Sequence, residues 1–432
     1  MSTASMAKGT TLPTALPWPG LLALSTAAFT AVMTELLPAG LLPRIAPALG
    51  VSEARVGFLV TGYAVASFAA AIPLTALLRG LPRRPVLLGA LVGLAVSNAV
   101  VALSSSYTLT FAARLSAGCM GGTLWAMLVG YAARMVPAER RGRAIAVVLG
   151  GITLALSLGV PAGTVLAEAL GWRTAFGVLT GLALLLAGWV RWQVPGFPGE
   201  GTGARTPLPR VARLPGLPVV LSVTLLLLLG HQVMYTYVAP FAAHAGFGRT
   251  GLVLLVFGAA TVAGLWITGL LVDRHPRTTL LAALALCAAV MLTLGLYSRS
   301  PAVLLVSVAL WGAGFGGAPT LIQTALVDAS GPGHADVATS LQTTVYNAGI
   351  AAGALTGGVA LENLGAQALP WTSLPLVAAA LATVALGRRH AFPAVRRRTW
   401  AAREGAATPP SLPGCRPRHD DDGRVGQDGR TR

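Results

Sequence analysis

Residues 159–171 read GVPAGTVLAEALG, and 194 positions later residues 353–365 read GALTGGVALENLG. Gly159 falls on Gly353, Gly163 on Gly357, Val165 on Val359, Glu168 on Glu362, Leu170 on Leu364 and Gly171 on Gly365. The same offset lays Pro82 and Arg83 on Pro276 and Arg277, and Gly118 on Gly312. One such match among 52 glycines carries little weight, but matches at three separated places on one offset mark a duplication. Both copies lie inside long apolar runs. The duplicated unit therefore belongs in a membrane, and parallel repeats flanking a central path are a common plan for transporters.

Composition requires the same setting. Of 432 residues 54% are hydrophobic and 10% charged, and the mean hydropathy is +0.71, so the charges are too few to cover a water-exposed surface. Apolar runs of about 20 residues, the length that crosses a bilayer, fall near 19–42, 55–78, 85–103, 108–133, 143–167, 174–193, 217–240, 251–272, 279–297, 302–327, 337–361 and 370–387. That is six per repeat. An even number returns the chain to its starting side, so the two halves share one orientation. The expected fold class is an all-α integral membrane protein with twelve transmembrane helices in two parallel six-helix repeats. Its expected parts are an N-terminal tail (1–17), a first bundle (18–193), a linker (194–215), a second bundle (216–387) and a disordered C-terminal tail (388–432). The linker is rich in Pro and Gly, which suits a flexible strap between bundles that move against each other.

A net charge of +17 could point to nucleic acid, but its placement does not. The N-terminus, the even-numbered loops and the tail carry 25 of the 31 Lys and Arg residues. The opposite side carries Arg44, Arg55, Arg173, Arg249 and Arg299. This is the positive-inside pattern, and it places both termini and the linker in the cytoplasm. The basic start of the tail, Arg388 to Arg398, suits anionic lipid, and nucleic acid is not an expected partner. The first apolar run is too long for a cleaved signal peptide, contains Glu35 and is followed by further spans, so it reads as an uncleaved first helix. Cys119, Cys287 and Cys415 make neither a metal-ligand spacing nor a disulfide framework; no metal or cofactor is expected. Gly312-Ala-Gly314-Phe-Gly316-Gly317 matches the dinucleotide fingerprint formally, but it lies within an apolar span without a βαβ context and reads as a helix-packing face. No Ser, His and acid constellation and no phosphate loop is present, so an enzyme is not expected.

Polar residues inside apolar spans are the informative ones, because a charge at the bilayer centre costs at least ~2.5–3.5 kcal/mol. Glu35 in the first span and Arg114 in the fourth fall at nearly the same depth, so they are expected to couple, as the proton-coupling pair or as a structural ion pair; an anchor at the membrane interface is the other reading of Glu35. His231, Gln232, Tyr235 and Tyr237 interrupt the seventh span just before Pro240, offering a titratable ring and hydroxyl-bearing aromatics to a ligand or to the core. Trp125, Gln323, Gln342 and Asn347 are further candidates for the substrate cavity. Arg83, Arg84, Arg274 and Arg277 follow spans two and eight, where cations meet helix C-terminal carbonyls favourably. In the fifth span Gly150, Gly159, Pro161 and Gly163 give a small-residue face and a bend.

These residues carry a resemblance. Gly269-Leu-Leu-Val-Asp273-Arg274-His-Pro-Arg277 is similar to the loop motif of the major facilitator superfamily, and Arg114-Leu-Ser-Ala-Gly118 and the glycines of span five resemble motifs of its twelve-helix drug:proton antiporters. The first half departs from the loop motif, with Arg79 where the family usually has an acid. Thr34-Glu35-Leu-Leu-Pro38-Ala-Gly40-Leu-Leu-Pro43 resembles the opening of bacterial exporters of arabinose, sugars, purine nucleosides and chloramphenicol. The resemblance implies a monomeric secondary transporter that exchanges protons for a small organic substrate, with Glu35 protonated and Arg114 setting its affinity. A facilitator or symporter on the same fold, and a non-transporting membrane sensor, are the alternative readings.

Overall fold

Twelve long helices run through the described part of the chain: α1 (Trp18–Leu49), α2 (Glu53–Leu78), α3 (Arg83–Leu103), α4 (Tyr107–Arg134), α5 (Arg141–Leu170), α6 (Trp172–Gln193), α7 (Leu217–Thr236), α8 (Thr250–Leu271), α9 (Pro276–Leu296), α10 (Pro301–Ser330), α11 (Ala335–Leu364) and α12 (Ala368–Leu386). The computed structural model describes residues 16–78, 80–137, 140–199, 211–272, 275–331, 334–387 and 391–392. Arg79, Asp273 and Arg274 of the expected loop motif lie outside them, as do most of both tails and 200–210 of the linker. The chain divides into two compact units, Met1–Ala394, which holds all the helices, and Val395–Arg432, which lies outside the described residues. Among the described residues there is no strand. Eleven of the helices are long and apolar enough to cross a membrane; the other, α2, is 26 residues long and has Glu53 and Arg55 in its first turn. The molecule is thus an all-α membrane protein with helices where all twelve spans were expected.

Boundaries differ where capping, not hydrophobicity, ends a helix. The first apolar run stops near 42, yet α1 continues through Pro43 and Pro47 to Leu49. Gly50 then takes a left-handed conformation (φ +64°), its N–H meets the Pro47 carbonyl and that of Val51 the Ala46 carbonyl, which is a Schellman stop. Glu35 consequently sits near the middle of a 32-residue helix, deeper than the apolar run suggests. Both ends of the expected flexible linker are docked. Phe197 stacks edge-on against Tyr131 at 5.2 Å, the Tyr131 hydroxyl donates to the Pro195 carbonyl at 2.6 Å, and Val211 is buried. Ala391 and Phe392, the described residues of the expected tail, are likewise buried.

The duplication is visible in the packing residue by residue. A methyl group at Gly118 of α4 would collide with the Tyr63 carbonyl and Ala66 methyl of α2, and one at Gly312 of α10 with the Phe257 carbonyl and Ala260 methyl of α8. Every partner is displaced by the same 194 positions. Gly122 against Ser67 and Gly316 against Thr261 repeat the relation one turn on. Gly314 faces α9 at Cys287, so the fingerprint-like glycines of α10 are a packing face, as expected. Gly171 and Gly365, the last residues of the two motif copies, both have positive φ (+90° and +82°) and end α5 and α11. Arg84 donates to the Arg191 carbonyl at the end of α6, and Arg277 donates at 3.0 Å to the Ala385 carbonyl at the end of α12. Those two carbonyls are again 194 apart. The arginines therefore serve helix C-termini as expected, but those of the sixth and twelfth helices, not of the helices they follow.

Within α5, residues Ala155–Gly159 form a π turn just before Pro161. Proline has no N–H for the carbonyl four residues back and its ring crowds that carbonyl, so the helix widens there. Gly159 and Gly163 pack against Met33 and Leu37 of α1. Gly150 does not share that face: space around it is open, and its neighbour Gly151 makes the close approach to Ser25 of α1. Gly269 is also in open space.

Valine at position 118 or 312 should therefore lower thermal stability in detergent by a comparable amount, on the order of the 1–3 kcal/mol that overpacking costs. Gly150→Val should be nearly silent. Equal melting temperatures for all three variants would contradict the packing described.

Candidate functional site

The central feature of the first half begins with a proline. Pro38 lies inside α1 and has no N–H, so the carbonyl of Thr34, four residues earlier, has no α-helical donor. Deep in a membrane protein no solvent replaces it. Arg114, fully buried on α4, supplies the missing donor: its Nη1 binds the Thr34 carbonyl, Nη2 the Glu35 carbonyl at 2.9 Å, and Nε the Leu59 carbonyl of α2 at 3.2 Å. The guanidinium also lies over the Tyr63 ring, 4.7 Å from its centroid. From α3, Asn98 Nδ2 donates to the Thr34 hydroxyl at 2.9 Å. Residues 34–35 of α1 are thus gripped by α3 and α4, and Arg114 ties the same point to α2.

The Glu35 carboxylate takes no part in that grip. It is buried, and its Oε1 has no hydrogen-bond partner. It lies near Arg114 and near the phenols of Tyr63 and Tyr346, the last on α11 in the other half. Glu35 and Arg114 do share a layer, but the expected ion pair takes a different form. The arginine is held by main-chain carbonyls because Pro38 exposes one of them, and the carboxylate is left as an acid facing the boundary between halves.

The repeat supports this account. At the 194 offset Pro38 corresponds to Gln232 and Arg114 to Val308. The second half has no proline at this point of α7 and no arginine on α10, so the orphaned carbonyl and its donor are present together or absent together. Its polar set is different. His231 is buried among aromatic rings, stacked on Phe315 with centroids 3.6 Å apart and planes 7° apart, and flanked by Tyr235 (5.2 Å), Trp311 (5.0 Å) and Phe257 (5.8 Å). Its Nδ1 has no hydrogen-bond partner. Tyr235 and Gln232 are buried, and Gln232 donates to the Thr236 hydroxyl at 3.0 Å.

The remaining candidates are not gathered into one cavity. Tyr237 sits at the break between α7 and the short helix Val238–His244, where its hydroxyl donates to the Ala354 carbonyl at 2.8 Å and its ring fills the space left by Gly57, Gly357 and Gly358; it closes a seam between halves. Trp125 packs between the two hydrophobic cores. Gln323 is exposed. On α11, Gln342 and Asn347 are buried and Asn347 donates to the Thr343 carbonyl within its own helix. Tyr63, Asn98 and Tyr346 were not anticipated. Asn98 could have been noticed as the one amide in the third span, but Tyr63 and Tyr346 are unremarkable tyrosines until the helices are packed.

The halves meet on the side away from the termini. Phe58 of α2 lies against Gly358 of α11, Val165 of α5 against Gly251 of α8, and Ser157 against Gly258. Leu254 of α8 reaches Gly40 of α1. Each contact lies in the part of its helices on that side, so the structure is shut there.

A family model described as Major Facilitator Superfamily matches residues 24–354, with a second match over 220–413. A probable sugar efflux transporter of Helicobacter pylori (strain G27) is 28% identical over 345 residues, covering 79% of this chain and 88% of the relative. The transcription regulatory protein OpdE of Pseudomonas aeruginosa is 31% identical over 387 residues, covering 87% and 95%. Among solved structures, that of the human organic anion transporter MFSD10 (TETRAN) is similar with a TM-score of 0.63 at 20% identity, covering 85% of this chain and 98% of the other.

If Arg114 serves the carbonyl that Pro38 orphans, then Pro38→Ala, which restores an N–H, should partly rescue Arg114→Met. Stability measured through a double-mutant cycle should show a favourable coupling of about 1–2 kcal/mol, the scale of one buried unsatisfied group. Strictly additive losses would separate the two residues.

Proposed function

The chain belongs to the Major Facilitator Superfamily, and from that premise we propose that it is a secondary active exporter, in which protons move down their gradient while a small organic molecule leaves the cell. The observation that carries the proposal is Glu35, a buried acid with an unpartnered oxygen at the boundary between the halves. A carboxylate held there without a hydrogen-bonded counter-ion is costly, and protonation or a ligand relieves that cost. Arg114 is anchored to main chain, so it keeps a fixed positive charge near Glu35 whichever occupant is bound. A proton and a substrate group competing for Glu35 give antiport. Export as the direction is supported by the efflux activity in the name of the Helicobacter relative.

In this reading the bundles 18–193 and 216–387 rock about the centre, joined by 194–215. The termini face the cytoplasm of a bacterial inner membrane, as the basic loops favour, and a monomer suffices. The structure is then the inward-facing member of the cycle, shut on the outer side. The bland alternative for Glu35, a facilitator or symporter that binds substrate through it without exchanging protons, is separated by flux measurements. A second reading, a membrane sensor that transports nothing, is favoured by the name of the Pseudomonas relative. We propose no enzymatic activity, cofactor or metal.

In proteoliposomes Glu35→Gln should abolish uphill, pH-driven export across a panel of sugars, nucleosides and lipophilic antibiotics, while downhill substrate exchange persists. Full uphill export by the variant would make Glu35 a passive residue, and no flux of any panel compound by the parent would favour the sensor. Cysteines placed at residues 5 and 204 should resist membrane-impermeant maleimide in intact cells; ready labelling would invert the topology.

A further inference from the structure

The two seams that close the outer side are related by the repeat but are built differently. The 194 offset maps α5 onto α11 and α2 onto α8, so the α5–α8 seam and the α11–α2 seam are equivalent, and Glu168 and Glu362 occupy the same place in each. At the α11–α2 seam, α2 carries its own cap, with Ser52 Oγ accepting the Arg55 N–H at 3.3 Å, and Tyr237 fills the space beside Gly57. At the α5–α8 seam the arrangement is different. The N-cap residue of α8, Arg249, makes no side-chain cap. The N–H of Gly251 in the first turn, which has no intrahelical acceptor, is instead taken at 3.2 Å by Oε1 of Glu168, which belongs to the other half of the protein. α4 and α10, which also start on this side, are capped by their own Ser106 and Ser300.

We propose that Glu168 is a latch of the outer gate. The first turn of a helix has unpaired N–H groups and a partial positive charge, and a carboxylate there satisfies both. α8 obtains that carboxylate only while the halves are shut on the outer side. Opening the α5–α8 seam therefore uncaps α8, whereas opening the α11–α2 seam leaves the cap of α2 in place. Glu168 thus biases the exchange between outward-open and inward-open states toward the closed outer gate, and it makes the two seams unequal. The inference rests on the alternating-access reading above, and it adds a residue that sets the balance between the two states.

The test uses spin labels at Ser105 and Arg299, which are exposed, equivalent in the two repeats, and on the α3–α4 and α9–α10 turns. Distances are read by electron–electron resonance in lipid nanodiscs, with Cys119, Cys287 and Cys415 replaced by Ala. Glu168→Ala should raise the ratio of the long-distance, outer-open population about fivefold, the ratio that the loss of one helix N-cap typically carries. Glu168→Gln, which keeps an acceptor, should raise it less. Arg249→Asn, which gives α8 a cap of its own in both states, should raise the ratio alone and blunt the effect of Glu168→Ala. That response distinguishes a latch from a residue that merely packs. Two populations in the parent with an unchanged ratio in Glu168→Ala would overturn the latch and leave the transport reading standing. A single distance in the parent and all variants, at every pH and with every panel compound, would overturn both.

Discussion

The first half depends on one unmet hydrogen bond. Pro38 removes the donor that the Thr34 carbonyl would have, in a place where lipid and packed side chains offer none. Only a long side chain from a neighbouring helix can supply it. An arginine does so while also reaching the Glu35 and Leu59 carbonyls and the face of Tyr63. Burying a guanidinium is costly, and three carbonyls and a ring offset that cost in a way that a single carboxylate would not. The same contacts fix the position of α1 against α2 and α4. The Glu35 carboxylate, three residues before the proline, is left with an unpartnered oxygen.

The duplication makes the consequence visible. The two halves keep the same helix contacts, with Gly118 on α2 and Gly312 on α8 in identical register, yet their interiors diverge. Tyr63 becomes Phe257, Arg114 becomes Val308, Glu35 becomes Leu229 and Asn98 becomes Leu292. In exchange Leu37 becomes His231, Ala117 becomes Trp311 and Gly121 becomes Phe315, which build the aromatic stack around the histidine. One half thus carries the charges and the other the rings.

The architecture was legible because its constraints are local in sequence. Apolar run lengths, the charge bias of the loops and repeated glycines each follow from the bilayer or from helix contact. The shared layer of Glu35 and Arg114 was legible too, from span lengths alone, although the depth of Glu35 in α1 was not. What Arg114 binds was not, because its partners are main-chain carbonyls, which every residue has. The clue was Pro38, four residues after Thr34, and it gains meaning only when α4 is known to lie alongside. Helix ends set by glycine conformation, as at Gly50, were missed for a related reason, since hydropathy does not report caps. The positions of Tyr237 and Gln323 were not legible, because polarity within a span does not reveal which face a residue occupies; one seals a seam and the other is exposed.

The central claim is that Glu35 is a free acid shared between proton and substrate, with Arg114 held in reserve by the main chain. The most direct test is proton release on binding. Purified protein in weakly buffered detergent solution, with a pH-sensitive dye, is mixed with each member of the sugar, nucleoside and antibiotic panel near the midpoint of its pH-dependent binding. The account predicts release approaching one proton per protein with a compound that binds, and none from Glu35→Gln. Saturable binding with no proton released from the parent, or equal release from Glu35→Gln, would contradict it.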